Sequence, residues 1–391
     1  MTATDGASFR FQASGFGCLS LPRSRESRPG PRRSRFFPVT PVSYMDSLTQ
    51  LTLGAAVGEA TLGKRVGRKA PLWGAALGTL PDLDVLANPF LTEVQALGFH
   101  RSLTHSLVFV LIAAPLFGWL LRRVHASDDV PWVRWSGLAF ACLFTHVLLD
   151  CLTTYGTQVF WPFSDYPVIF GTIFIIDPLY TVPLATGLLA GLWWSPTDRA
   201  RRLANGIGLA LSSLYLLVTI GNKLWVEHVF ETSLREQNLP HTEVFTKPTA
   251  FNNLLWSGIA KAEDGFYVGF YSLLDDDTQV DVRFVPANHD LLAGAWEDPA
   301  VQALRRFSRG YFTVSREPDG SLAVHDLRFG RSDLGLTDAG RYIFTFRLQR
   351  NSSGQMTGFT RTDPQIDARG DLIQRFVQRV RGNETVVGAA S

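Results

Sequence analysis

From residue 45 onward, apolar runs alternate with short polar connections, at 48–62, 70–87, 103–121, 135–154, 169–194 and 203–220. Several meet or approach the ~20 residues that an α-helix needs to cross a bilayer. They show little of the polar relief that a helix on a soluble core carries. The pattern predicts an α-helical integral membrane bundle over residues 45–221. The first run is short and broken by Glu59, so it reads either as a short or tilted span or as an amphipathic helix at the interface. Beyond about residue 222 the period changes. GFYVGFYSLL, TQVDVRFV, GYFTVSRE, SLAVHDLRFG and RYIFTFRLQR are short aromatic and β-branched runs between turn residues, as strands are. A mostly-β soluble domain is therefore expected over 222–391.

Composition agrees with a membrane protein. Hydrophobic residues make up 46% and charged ones 18% of the chain, against the ~25% charged residues of ordinary soluble domains. The net charge of +2 is not gathered on a folded-looking segment, so no nucleic-acid partner is expected. Of Cys18, Cys142 and Cys151, two lie in one apolar stretch, which argues against a disulfide framework or a thiolate zinc site. Residues 1–44 stand apart, with seven arginines, scattered prolines and serines, and no apolar core for a secretory signal. They read as a disordered basic arm or a mis-assigned start, with Met45 the preferred first residue. Lys64, Arg65, Arg68 and Lys69 fill one connection, Arg122, Arg123 and Arg134 a second, and Arg199, Arg201 and Arg202 a third. If the second to sixth helices all span, these connections share a side. The positive-inside tendency makes that side cytoplasmic and the C-terminal domain extracytoplasmic.

Polar residues inside such a bundle are costly and mark function by default. His146 and Asp150 are four apart, on one face of the fourth helix; a buried hydrogen bond between helices is the plain alternative to a ligand pair. Asp82 and Asp84 are expected where the second helix emerges, and could simply end it after Pro81. His100 belongs before the third helix and His105 in its first turn. Asp177 reads as a remote ligand, a supporting partner, or a charge stabilised beside Pro178. Alternating helix directions bring all these groups towards one membrane face. Mixed His and carboxylate donors suit a divalent metal, zinc first, with manganese or iron as alternatives. His241, His289 and His325 lack ligand spacing and read as ordinary turn or surface residues.

PDLDVL, HRSLTHSLVF, HVLLDCLTTYGTQVFWPFS and FIIDPLYT together resemble a group of bacterial inner-membrane proteins described as membrane-bound metal-dependent hydrolases, the YdjM/YbcI-like family. The resemblance is strong over about 45–220. KPTAFNNLLWSGIAKAEDGFYVGFYSLLD is also similar to the C-terminal extension of some members. It implies a multi-pass protein of the bacterial inner membrane with Asp82, His100, His105, His146 and Asp150 at the metal, and Asp84 close behind. Many members carry a histidine after a threonine near the first helix; here Gln50 follows Thr49, which changes that donor. The His-x-x-x-Asp spacing at 146–150 also looks like part of the zinc-dependent phospholipase C and P1 nuclease constellation.

The implied chemistry is metal-assisted hydrolysis, with Asp84 or Asp150 guiding the proton of a bound water. Arg101 is the candidate to hold a phosphate oxygen, since its forked donors match that shape; contact with lipid headgroups is its other reading. A phospholipid or lipid-linked phosphoester in the membrane or envelope is the expected substrate class. Two other readings use the same residues: an ion or proton transporter, and a noncatalytic assembly protein braced by a structural metal.

Overall fold

The computed structural model describes residues 41–333, 335, 336, 340–362 and 370–386. The basic arm over residues 1–40, including Cys18, lies outside them, whereas Met45 lies inside the first helix. Residues from 41 onward form one compact unit.

Helix α1, Pro41–Val66, has 26 residues, longer than the apolar run 48–62 from which it was expected. It is the axis of the bundle, touching α2 (Lys69–Thr79), α5 (Trp132–Leu152), α6 (Pro178–Gly191) and α7 (Arg199–Glu236). Glu59 is tolerated there because Arg201 of α7 grips both its oxygens at 2.7 Å. Contact with α2 is closest where glycines recur every fourth residue, Gly54 and Gly58 against Gly74 and Gly78. A Cβ added at Gly54 would sit 2.2 Å from the Gly74 carbonyl oxygen. Small residues let backbones approach in this way without a solvent-driven force between helices.

Three helices among the described residues are long and apolar enough to cross a membrane: α4 (Leu107–Val124), α5 and α7. Two expected spans are shorter than the sequence pattern implied. Helix α2 has 11 residues, about 16 Å at 1.5 Å per residue, because Pro81 diverts the chain into a 3-10 segment, Pro81–Phe90. Helix α6 starts only at Pro178. The preceding stretch is extended, and its Phe170 and Thr172 amides donate at 2.8 Å to the last carbonyls of α5, those of Cys151 and Leu152. The apolar run at 169–177 thus serves as a cap for another helix rather than as helix of its own.

The basic connections do meet at one end. Lys69 pairs with Asp128 at 2.7 Å, Trp73 donates to His125 at 2.8 Å, and Gly67 lies against Pro196. At the opposite end α7 runs on without a break past residue 222, the expected boundary, and packs Val226, Val229 and Phe230 against Trp256 and Tyr271. The C-terminal region holds two four-stranded antiparallel sheets, ordered β1 (Val244–Pro248), β2 (Leu255–Lys261), β3 (Gly265–Ser272), β4 (Val282–Pro286), and β5 (Phe312–Arg316), β6 (Leu322–Arg331), β7 (Tyr342–Arg350), β8 (Met356–Thr362). Helix α8, Pro299–Ser308, covers the second sheet. The short α3, Glu93–Phe99, pushes Val94 and Leu97 into that same core, so the strand region is fastened to the polar end of the bundle. His241, His289 and His325 bond to Leu239, Phe312, Ser315 and Thr345 as ordinary structural residues.

Replacing Gly54 by leucine should force α1 and α2 apart and remove most folded protein from detergent extracts. Size-exclusion yield and thermal unfolding would measure this. Wild-type yield and midpoint would contradict the close helix contact.

Candidate metal centre

Four elements deliver the polar groups. Pro81 ends α2, so Asp82 and Asp84 emerge on the 3-10 segment. Thr92 and Gln95 cap α3 reciprocally, after which His100 closes the helix. Arg101 then takes a left-handed backbone, φ 58°, uncommon outside glycine. That bend folds the chain back, and a single 3-10 turn, Leu103–His105, ends on His105 just before Ser106 caps α4 through the Phe109 amide at 3.0 Å. His146 and Asp150 project one turn apart from α5.

One nitrogen or oxygen from each of Asp82, His105, His146 and Asp150 converges on a common point. His105 Nε2 lies 3.3 Å from Asp82 Oδ1 and 3.2 Å from Asp150 Oδ2. His146 Nε2 lies 3.2 Å from His105 Nε2 and 3.6 Å from each of the same two oxygens. A tetrahedral ion with bonds of about 2.0–2.2 Å holds its ligand atoms roughly 3.3–3.6 Å apart, so the spacing fits zinc-like coordination. His146 Nδ1 donates to the Gly78 carbonyl at 2.7 Å, which leaves Nε2 with its lone pair turned inward. Asp150 Oδ2 is buried without a hydrogen bond. Three carboxylates, Asp82, Asp84 and Asp150, gather here with one guanidinium, that of Arg101, whose Nε is 3.2 Å from Asp150. With neutral imidazoles, a divalent cation balances the remainder.

Asp84 and His100 sit beside this cluster rather than in it. Asp84 Oδ1 holds His100 Nδ1 at 2.9 Å, and Oδ2 accepts the Arg101 amide at 3.1 Å and the Thr104 hydroxyl at 3.3 Å. Asp177 stays apart as the cap of α6, accepting from the Leu179 amide and from Tyr215 at 2.7 Å. Sequence reasoning did not single out Thr153, which receives Arg101 Nη1 at 3.0 Å, or Tyr155, which lies 5.1 Å from the Arg101 guanidinium and 5.2 Å from the His100 ring. Their signal was the polar run TTYGT closing an apolar helix. Burial pushes the Tyr155 hydroxyl above its ordinary pKa, with Arg101 opposing. Gln50 is placed at the site too, donating to Asp150 Oδ1 at 2.8 Å.

Inner membrane protein YbcI of Escherichia coli (strain K12) is 34% identical over 149 residues, a match covering 31% of this chain and 81% of that protein. The chain belongs to the YdjM inner-membrane protein family. The family description, YdjM inner membrane protein, matches residues 45–226, a span that contains every group of the cluster. The uncharacterized protein YfhP of Bacillus subtilis (strain 168) is 26% identical over 319 residues, 77% of this chain and 89% of its own, enough to reach into the strand region. No solved structure matches. The chain is thus a multi-pass inner-membrane protein, and it encloses a buried pair of histidines and pair of aspartates suited to a metal ion.

His146→Ala and Asp150→Asn should each abolish stoichiometric metal in detergent-purified, folded protein, while His289→Ala retains it. Gln50→Leu, which removes the supporting hydrogen bonds to Asp150 and to the His146 carbonyl, should weaken affinity roughly 10–100-fold. Elemental analysis and competition with a chelating dye check both. Full occupancy in the first two variants would reject them as ligands.

Proposed function

We propose that this chain is a membrane-embedded metal-dependent hydrolase acting on a phosphoester, such as a phospholipid or a lipid-linked phosphate. The observation that carries the reading is the cluster itself, four donors at tetrahedral spacing beside an arginine and a separate carboxylate–imidazole pair. Asp82, His105, His146 and Asp150 would hold zinc, or manganese or iron in its place. When bound, the ion would polarise the scissile group and acidify a water taken as a fifth ligand beside the four protein donors. Gln50 and Arg101 fix Asp150 from two sides. Arg101, anchored by Thr153 and the Tyr155 ring, would bring its fixed positive charge to an anionic oxygen. Asp84 holds His100 by Nδ1, which leaves the other ring nitrogen to take a proton at the edge of the site.

Orientation follows from charge. The three basic connections lie at one end of the bundle, so the positive-inside tendency puts them in the cytoplasm and the strand region outside. A cysteine at the exposed position Ser353 (Ser353→Cys) should react with a membrane-impermeant maleimide in intact spheroplasts. Reaction only after permeabilisation would invert the orientation.

Protein stripped of metal and reloaded with Zn2+ or Mn2+ should hydrolyse members of a phosphoester library in proportion to occupancy. Arg101→Lys keeps the charge but loses the fork, and should raise KM roughly 10–100-fold, the value of a charge-assisted hydrogen bond, with metal retained. Full occupancy without turnover of phosphoesters, esters or peptides would instead favour a structural metal.

A further inference from the structure

The four donors of the cluster are unequally covered. The side chains of His105, His146 and Asp150 are at most 1% exposed, whereas that of Asp82 is 19% exposed. Towards the strand region the centre is closed by a wall of rings, since Tyr155 packs on His100 at 5.2 Å and on Phe307 at 5.2 Å, with Phe329 at 6.3 Å. Towards the bundle it is closed by the Gly78 carbonyl and by α5. The open flank is that of Asp82, and the segment carrying it is unusual for an entrance to a polar site. Leu83, Leu86 and Phe90 are 51%, 68% and 88% exposed. A 3-10 helix has three residues per turn, so Val85, also exposed, lies one turn from Asp82 on the same face.

A water-facing mouth is rarely bordered by so much exposed apolar surface. The turn that carries His105 touches this segment and leads straight into α4. Leu111, Ile112 and Leu116 of α4 are exposed, so the apolar border leads through that turn to the exposed apolar side of a helix that can span.

We propose that the metal centre is entered sideways from the bilayer, past Pro81–Phe90, by a membrane amphiphile with an anionic headgroup. Its acyl chain lies on Leu86 and Phe90 and stays in the lipid. Its headgroup enters beside Asp82, the exposed member of the cluster, towards the positive charge that Arg101 holds against Asp150. The chemistry at the end of the path rests on the hydrolase reading; the path does not.

Two measurements test it in proteoliposomes of phosphatidylglycerol and phosphatidylethanolamine, on full-length protein with Cys18→Ser; the other two cysteines are buried. A spin label at Leu86→Cys should collide several-fold more often with dissolved oxygen than with a water-soluble nickel chelate. Equal or greater access for the chelate overturns the lateral entrance. Phosphatidylglycerol bearing a diazirine near its headgroup should crosslink to residues 82–90 in the wild type. Leu86→Lys should reduce those adducts several-fold with metal content unchanged. Adducts confined to α4, α5 and α7 in both proteins would also overturn it. Neither readout needs turnover, so a lipid-facing label in a protein that hydrolyses nothing removes the reaction and leaves the entrance standing.

Discussion

Negative charge held at one end of an apolar bundle is the constraint around which the rest of this structure is arranged. Asp84 and Asp150 are almost wholly buried and Asp82 is partly covered beside them, where an uncompensated carboxylate is expensive. Arg101, whose backbone takes a left-handed conformation, offsets part of that charge from 3.2 Å. Two imidazoles with lone pairs available complete a set of donors that a divalent ion would neutralise and hold together. Removing a partner from a buried charge costs far more than removing a surface pair, which is why the groups around the centre are so densely cross-bonded.

That density depends on helix packing further down the bundle. The glycine contact between α1 and α2 sets the depth at which α2 ends, and hence where the Gly78 carbonyl can receive His146. The same central helix brings Gln50 within 2.8 Å of Asp150. Near its other end, the Glu59–Arg201 pair fixes α1 to α7, and α7 carries that rigidity outward to the strands. The strand region is thus no loose appendage. Through α3, Tyr155 and Phe307 it forms one wall of the metal centre.

Much of this was legible in the sequence. The helix spacing of His146 and Asp150 put both on one face without further information, and alternating helix directions brought Asp82 and His105 to the same end. The strands 265–272 and 322–331 were plain from their aromatic and β-branched runs. What escaped was set by local backbone chemistry that hydropathy does not register. The run at 169–177 is as apolar as a helix, but its amides are used to cap α5. Pro81 and Pro178 act as breaks that shorten two expected spans. The first helix read as a short span or an interfacial one because Glu59 interrupts it, and its partner Arg201 lies 142 positions away. Gln50 stood out only against the family pattern; its bond to Asp150 needed the fold.

X-ray absorption at the edge of the bound metal tests the central claim most directly. Protein loaded with one equivalent of zinc should give four nitrogen or oxygen neighbours at about 2.0–2.2 Å, with outer-shell scattering from two imidazole rings. Sulfur at about 2.3 Å, or a shell with no imidazole scattering, would contradict a centre built from Asp82, His105, His146 and Asp150.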